Sequence, residues 1–187
     1  MLDIIFSADR QILLIINHLP HNFFTDSFFL FFSFAGYYGV IWFVITVLLF
    51  LFDGLDNRRE VTALFITVLS EIFLVEIFLK NLFLRIRPET AIGDNLVKLL
   101  GPTASYSFPS GHATIAFAAA YILSRQRPKL TIFLFFLAVI VAVSRIYLGK
   151  HYPSDVIAGA VLGMLIGIMS SHLVWKSFPE KKVNLKK

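Results

Sequence analysis

Leu130–Leu148 reads LTIFLFFLAVIVAVSRIYL and carries no charged side chain before Arg145. A run of that length and polarity matches the roughly 20 apolar residues a membrane helix needs, and it is too uniformly apolar to be one face of a soluble helix. Similar runs recur on both sides. The 187 residues are 57% apolar and only 16% charged, with 21 Phe, and their mean hydropathy is +0.77. An ordinary soluble domain carries roughly 25% charged residues. The composition therefore specifies an all-α integral membrane bundle, and residues 1–187 form a single domain because the spans leave too little chain for a second one.

Five segments satisfy the requirement: Ser27–Phe52, Val61–Lys80, Pro109–Ser124, Leu130–Leu148 and Ser154–Trp175. The third is short and opens on Phe-Pro-Ser-Gly-His, which predicts a helix starting below the membrane surface in a cavity. Before them, Ile5, Ala8, Ile12, Ile15 and Leu19 recur at steps of three and four, opposite Ser7, Arg10, Asn17 and His18. That pattern predicts an N-terminal helix lying in the interface. Its two acids before the first base do not suit a signal peptide. The connection 81–108 is long for a compact bundle, and ordered loops of that size are usually functional.

With five spans, Arg10, Lys80, Arg85, Arg87, Lys98, Arg145 and Lys150 fall on one side. Arg58, Arg59, Arg125, Arg127, Lys129 and the basic tail 176–187, with Lys176, Lys181, Lys182, Lys186 and Lys187, fall on the other. The positive-inside rule places the second side in the cytoplasm, so the long loop faces outward. The tail is expected to meet anionic lipid rather than nucleic acid. With no Cys in the chain, thiolate chemistry and disulfides are excluded.

Three polar clusters lie at outward helix ends. The first is Lys80-Asn-Leu-Phe-Leu-Arg-Ile-Arg87-Pro88, the second Pro109-Ser110-Gly111-His112, and the third Ser144-Arg145 followed by His151 and Asp155. Singly, each has a plain structural reading as a snorkelling base, a helix cap or a local hydrogen bond. Together they supply three fixed cations, two imidazoles, a carboxylate and a helix N-terminus. Phosphoryl transfer needs that inventory, because its transition state spreads charge over oxygens that require fixed positive partners. Lys80, Arg87 and Arg145 provide the charge, while Ser110 and the Gly111 N–H lie where a helix N-terminus favours an anion. Asp155, one turn beyond His151, is expected to accept its second ring proton, which makes His151 the nucleophile. His112 is left as the acid and base. No metal and no other cofactor is implied, because Glu89, Asp94 and Asp155 do not form a paired-carboxylate site.

Lys-x6-Arg-Pro, Pro-Ser-Gly-His and Ser-Arg-x5-His-x3-Asp, in this order, resemble the three-part signature of the phosphatidic acid phosphatase type 2 superfamily of membrane lipid phosphatases. The match runs from Lys80 to Asp155. The resemblance implies a helical bundle with an outward-facing site and metal-independent hydrolysis through a phosphohistidine. It carries phosphate binding onto Lys80, Arg87, Ser110, Gly111 and Arg145, acid–base work onto His112, the nucleophile onto His151 and its orientation onto Asp155. Many relatives have six spans, where this chain has five and an interfacial helix. Some polyprenyl enzymes of the family resemble Pro-Ser-Asp-His where this chain has Gly111.

Glu76 lies one turn before Lys80, and an intrahelical pair would aim that lysine at the phosphate. Glu71 shares the span, where an ionised carboxylate needs a partner. Gly159, Gly163 and Gly167 predict close packing of the last helix on the alanine-rich third span. His18, His21 and His172 have no charged constellation in the sequence. The expected substrate is a membrane lipid phosphate in a bacterial-type inner membrane, first undecaprenyl diphosphate, then phosphatidylglycerol phosphate or phosphatidate. Transfer to an alcohol acceptor is a second reading. A transporter, the third, would require broken mid-membrane helices that the sequence does not suggest.

Overall fold

A computed structural model describes residues 2–53 and 58–178, and every element in them is helical. The helices are α1 (Leu2–Asn17), α2 (Phe23–Ala35), α3 (Val40–Asp53), α4 (Arg58–Ser70), α5 (Lys80–Phe83), α6 (Pro88–Ala91), α7 (Gly111–Gln126), α8 (Thr131–Tyr147) and α9 (Pro153–Ser177). Lys181, Lys182, Lys186 and Lys187, expected to meet lipid, lie outside the described residues, as does the Ile5 side chain.

Among the described residues, three helical stretches are long and apolar enough to cross a membrane: Arg58–Ala91, Pro128–Tyr147 and Pro153–Ser177. A fourth crossing is available from α2 with the following helix, but this pair bends by 62°. The segment read from the sequence as the first span, Ser27–Phe52, is thus divided between two helices. The break falls at Gly36–Gly39, where Tyr38 (φ 46°) and Gly39 (φ 76°) are left-handed. A Cβ at Gly36 would come within 2.8 Å of Val141 Cγ1, so the chain turns where α8 approaches closest. α7 has 16 residues and reaches about 24 Å at 1.5 Å per residue, short of the roughly 30 Å hydrocarbon layer. It starts inside the bundle, as its sequence predicted.

α7 forms the axis of the bundle and packs most extensively on α9 and α8. Its Ala113, Ala116, Ala118, Ala119 and Ala120 are buried, and the α9 glycines face them. A Cβ at Gly159 would lie 2.5 Å from the Ser110 carbonyl oxygen, and Cβ atoms at Gly163 and Gly167 would collide with Thr114 and Ala118 backbone. In lipid, association rests on van der Waals packing rather than on hydrophobic transfer, and small residues allow the required approach. That contact fixes the start of α7 against the start of α9, where the Ser110 N–H donates to the Asp155 carbonyl at 3.0 Å.

The apolar stripe of α1 is present, but it turns away from the protein. Ile12, Ile15 and Leu19 are exposed, whereas Asp9, Leu13 and Asn17 are buried against the bundle. Asn17, on the polar side of the sequence pattern, donates to the carbonyls of Tyr147 (2.7 Å) and Val97 (3.0 Å) and accepts from the Val97 N–H. That facing suits a helix in the interface, with its apolar side outward to lipid while its polar groups find partners inside. His21 likewise has a charged partner after all. Its Nδ1 lies 2.7 Å from Asp26 and 2.9 Å from the Tyr147 hydroxyl, tying α2 to α8.

Candidate active site

Lys80 ends a nine-residue π-helical stretch, Glu71–Leu79, and its N–H bonds to the Val75 carbonyl five residues back. An α-helix turns about 100° per residue and would set Glu71 and Glu76 roughly 140° apart. The i→i+5 bonding of a π-helix brings residues five apart nearly into line, so both carboxylates face the same cavity. Glu76 Oε1 accepts from Lys80 Nζ at 2.5 Å, the pair the sequence predicted.

A cavity of about 130 Å³ opens at this end of the bundle. Lys80, Arg87, Gly111, His112, Arg145, His151 and Glu76 line it, so three distant motifs converge. Ser110 and Asp155 are fully buried and stand behind the wall. Ser110 caps α7, its Oγ accepting from the Ala113 N–H at 3.5 Å. Tyr37, Tyr38, Thr103, Ser105, Ile115 and Glu71 complete the lining, and sequence reasoning did not find the first five. Tyr37 and Tyr38 arrive through the break after α2; Thr103 and Ser105 arrive because the long loop folds back over the cavity.

That loop is held by charge. Lys150 pairs with Glu89 and donates to the Gly101 carbonyl at 2.5 Å, while Glu89 Oε1 accepts the Thr103 N–H at 2.8 Å. Arg87 uses Nε and NH2 on Ser105, at 2.7 Å to its carbonyl and 2.9 Å to its hydroxyl. Its NH1 reaches the Lys150 carbonyl at 3.0 Å and His151 Nε2 at 3.3 Å. Arg145 pairs with the Ser33 hydroxyl, and its buried Nε has no hydrogen-bond partner. His112 Nε2 is also buried without a partner. Both residues line the cavity, where a ligand can offer them further partners.

The orientation of His151 differs from the sequence expectation. Nδ1 lies 2.8 Å from the Ser107 carbonyl and 3.6 Å from Asp155 Oδ2. A carbonyl only accepts, so Nδ1 carries the proton and Nε2 presents its lone pair to the cavity. Asp155 Oδ2 instead accepts the Tyr152 N–H at 2.8 Å, which fixes the first turn of α9. It acts on the imidazole as a nearby negative charge, because the direct hydrogen bond goes to Ser107. Burial, then the charges of Arg87, Arg145 and Lys80, hold His151 well below the usual histidine range. The imidazole is therefore neutral at neutral pH.

Arg85, counted in the sequence only as one outward base, is the main partner of Asp155. Its NH1 donates to Asp155 Oδ1 at 2.5 Å and to Ser154 Oγ at 2.7 Å. The signal was its position two residues before Arg87, on the strand of loop that must pass beside α9.

Gly111 has a structural reason to be glycine. A Cβ there would collide with the Glu71 carboxylate and come 3.1 Å from Glu76 Oε1.

A membrane helical bundle with a buried pocket of three bases and two imidazoles defines a phosphate-processing membrane enzyme. The chain belongs to the PAP2 superfamily, whose model matches residues 59–179, and so to a family of lipid phosphatases. It is 35% identical over 153 residues to an undecaprenyl-diphosphatase of Sulfolobus acidocaldarius, covering 80% of this chain and 72% of that protein. It is 31% identical over 174 residues to a lipid A 4'-phosphatase of Bacteroides thetaiotaomicron, covering 87% and 75% respectively. The chain spans 64% of the length of YbjG of Escherichia coli, at 35% identity over 130 residues. Among solved structures it resembles Aquifex aeolicus LpxE, with a TM-score of 0.71, 35% identity, and 86% of this chain and 92% of that chain covered. It shares its fold with a PAP2-type phosphatidylglycerolphosphate phosphatase from Bacillus subtilis, at a TM-score of 0.68 and 24% identity, covering 95% and 89%.

Proposed function

We propose that the protein hydrolyses the phosphate or diphosphate headgroup of a membrane lipid through a phosphohistidine at His151, with undecaprenyl diphosphate as first substrate. The observation that carries this reading is the His151 Nε2 lone pair, facing the cavity 3.3 Å from Arg87 with Lys80 and Arg145 on the same wall. The three bases take the phosphoryl oxygens. Nε2 forms a bond to phosphorus as the bond to the leaving oxygen breaks, and His112 supplies the proton that oxygen needs. In the second half, His112 takes a proton from water, the water oxygen bonds to phosphorus, and the N–P bond breaks to release phosphate. Positive charge that develops on His151 is stabilised by the Ser107 carbonyl and the Asp155 carboxylate. The bases supply the positive field, so the reaction needs no metal, and the active site faces outward with the C-terminus cytoplasmic.

The similarity to an undecaprenyl-diphosphatase supports the choice of substrate. A lipid monophosphate is the second reading, favoured by the longer match to a lipid A 4'-phosphatase. Phosphate release from purified protein in excess chelator, with undecaprenyl diphosphate, phosphatidylglycerol phosphate, phosphatidate and lipid A in parallel, tests both. Fastest release from undecaprenyl diphosphate is expected. Faster release from a monophosphate replaces the substrate, and no release from any lipid, or release only after Mg²⁺ is added, contradicts the reaction.

A further inference from the structure

Beside His151 Nδ1 stand one acceptor, the Ser107 carbonyl, and one charge, Asp155, and Arg85 bonds to both residues. Its backbone carbonyl accepts the Ser107 N–H at 2.9 Å and the Ser107 hydroxyl at 3.2 Å, and Ser107 then offers its own carbonyl to His151 Nδ1. Its guanidinium grips Asp155 Oδ1 at 2.5 Å and lies 4.2 Å from the centre of the Tyr152 ring. The second arm of that guanidinium goes to α1. Arg85 NH2 donates to Asp9 Oδ2 at 2.6 Å. Asp9 Oδ1 accepts the Ser154 N–H at 2.9 Å, and the Ser154 hydroxyl donates to Oδ2. Asp9 is 4% exposed and Asp155 0%, so one guanidinium is shared between two buried carboxylates.

We propose that Asp9, acting through Arg85, is a positioning residue for Asp155 and His151, which makes the N-terminal helix part of the catalytic assembly. This inference rests on the proposed phosphohistidine reaction. Asp9 lies well before residues 59–179, so the contribution comes from chain outside the matched family region. With Asp9 in place, the Arg85 charge is divided and its fork is fixed at both ends. Without it, the whole of that charge falls on Asp155 and the fork is free to rotate. Asp155 then offers less negative potential to an imidazole gaining charge. A mere staple for α1 would affect stability and leave the chemical step alone.

The test uses full-length protein in detergent, with farnesyl diphosphate and dioctanoyl phosphatidate as substrates, and follows kcat, KM and the thermal midpoint. Asp9→Asn should lower kcat about 10- to 100-fold with KM within about threefold, the scale seen when an outer partner of an active group is removed. Asp9→Glu, which restores the charge, should recover most of that loss. Leu13→Ala loosens α1 without touching the ion pairs and should lower the midpoint while leaving kcat near wild type. Wild-type kcat in Asp9→Asn overturns the inference. So does a parallel loss of kcat and midpoint in both Asp9→Asn and Leu13→Ala, and so does Asp9→Glu no better than Asp9→Asn. If Asp9→Asn does not fold, Asp9→Ser, which keeps a partner for Ser154, is read the same way. A wild-type protein inert towards both substrates takes down the phosphatase reading and this inference together; turnover with an unaffected Asp9→Asn takes down the inference alone.

Discussion

His151 Nε2 stands 3.3 Å from the Arg87 guanidinium, on the cavity side of the imidazole. A cation next to a nitrogen lone pair disfavours protonation there, and the same cation is in place to bind an oxygen of the phosphoryl group that the nitrogen attacks. One residue thus keeps the nucleophile neutral and supplies charge to the transition state.

The first prediction follows from that contact and concerns pH. His151 must be neutral to attack, and burial with Arg87, Arg145 and Lys80 around it pushes its protonation well below the usual histidine value. Protonation removes the nucleophile, so the acid limb of kcat/KM should lie below the value of about 6.5 for free imidazole. Any fall in rate as pH rises belongs to His112 instead, which must hold a proton to serve as the acid. The profile of kcat/KM from pH 4 to 8 checks it, and an acid limb centred at 6.5 or above contradicts the neutral, buried imidazole.

The second concerns Gly111. Its Cβ site is occupied by the Glu71 carboxylate. Gly111→Ala should lower kcat/KM by about tenfold, because the Glu71 carboxylate must turn aside and disturb Glu76 and the Lys80 paired with it. Shortening the obstructing side chain in Gly111→Ala/Glu71→Ala should recover part of the activity. Steady-state kinetics on the two variants decide it, and an unaffected Gly111→Ala contradicts the crowding.

The third is topological. The loop carrying exposed Asp94 should face away from the cytoplasm, and Lys182 should be inside. Cysteines at these positions, one per chain, should label with a membrane-impermeant thiol reagent at 94 and remain unlabelled at 182 in cells whose outer barrier has been opened. The reverse labelling contradicts the orientation drawn from the distribution of bases.

The helical class and the convergence of the three motifs were legible because both depend on patterns spread over many residues. Unbroken apolar runs leave few alternatives to membrane helices, and motifs at successive outward helix ends must meet if the bundle is compact. Ser110 was read as a phosphate ligand and Asp155 as the acceptor of the second His151 ring proton; the structure buries both, with Ser110 capping α7 and Asp155 bonded to Arg85 and Tyr152. Spacing of four placed Asp155 beside His151, whereas the acceptor actually used, the Ser107 carbonyl, is a backbone atom with no mark in the sequence. Glu71 was hard to place because α-helical periodicity points it away from Glu76, and the π-helical register that unites them is not encoded in an apolar pattern. Tyr37 and Tyr38 entered through a break that two glycines permit but do not announce. The α1 stripe was read with the right period. Which polar residues dock it on the bundle was not legible, because spacing does not separate Asp9 and Asn17, which are buried, from Ser7 and Arg10, which stay exposed.

The central claim is that His151 Nε2 forms a bond to phosphorus while His112 protonates the leaving oxygen. Rapid-quench trapping of labelled phosphate on purified wild type, His151→Ala and His112→Ala, with a lipid phosphate and an aryl phosphate, tests both roles at once. Wild type should yield an acid-labile phosphoenzyme, and His151→Ala none with either substrate. His112→Ala should form it about 10²- to 10⁴-fold more slowly from the lipid alkoxide, the range for loss of a general acid, but near normally from the aryl phosphate, whose leaving group departs unaided. Phosphate trapped normally on His151→Ala would contradict the nucleophile, and equal losses with both leaving groups in His112→Ala would contradict the acid.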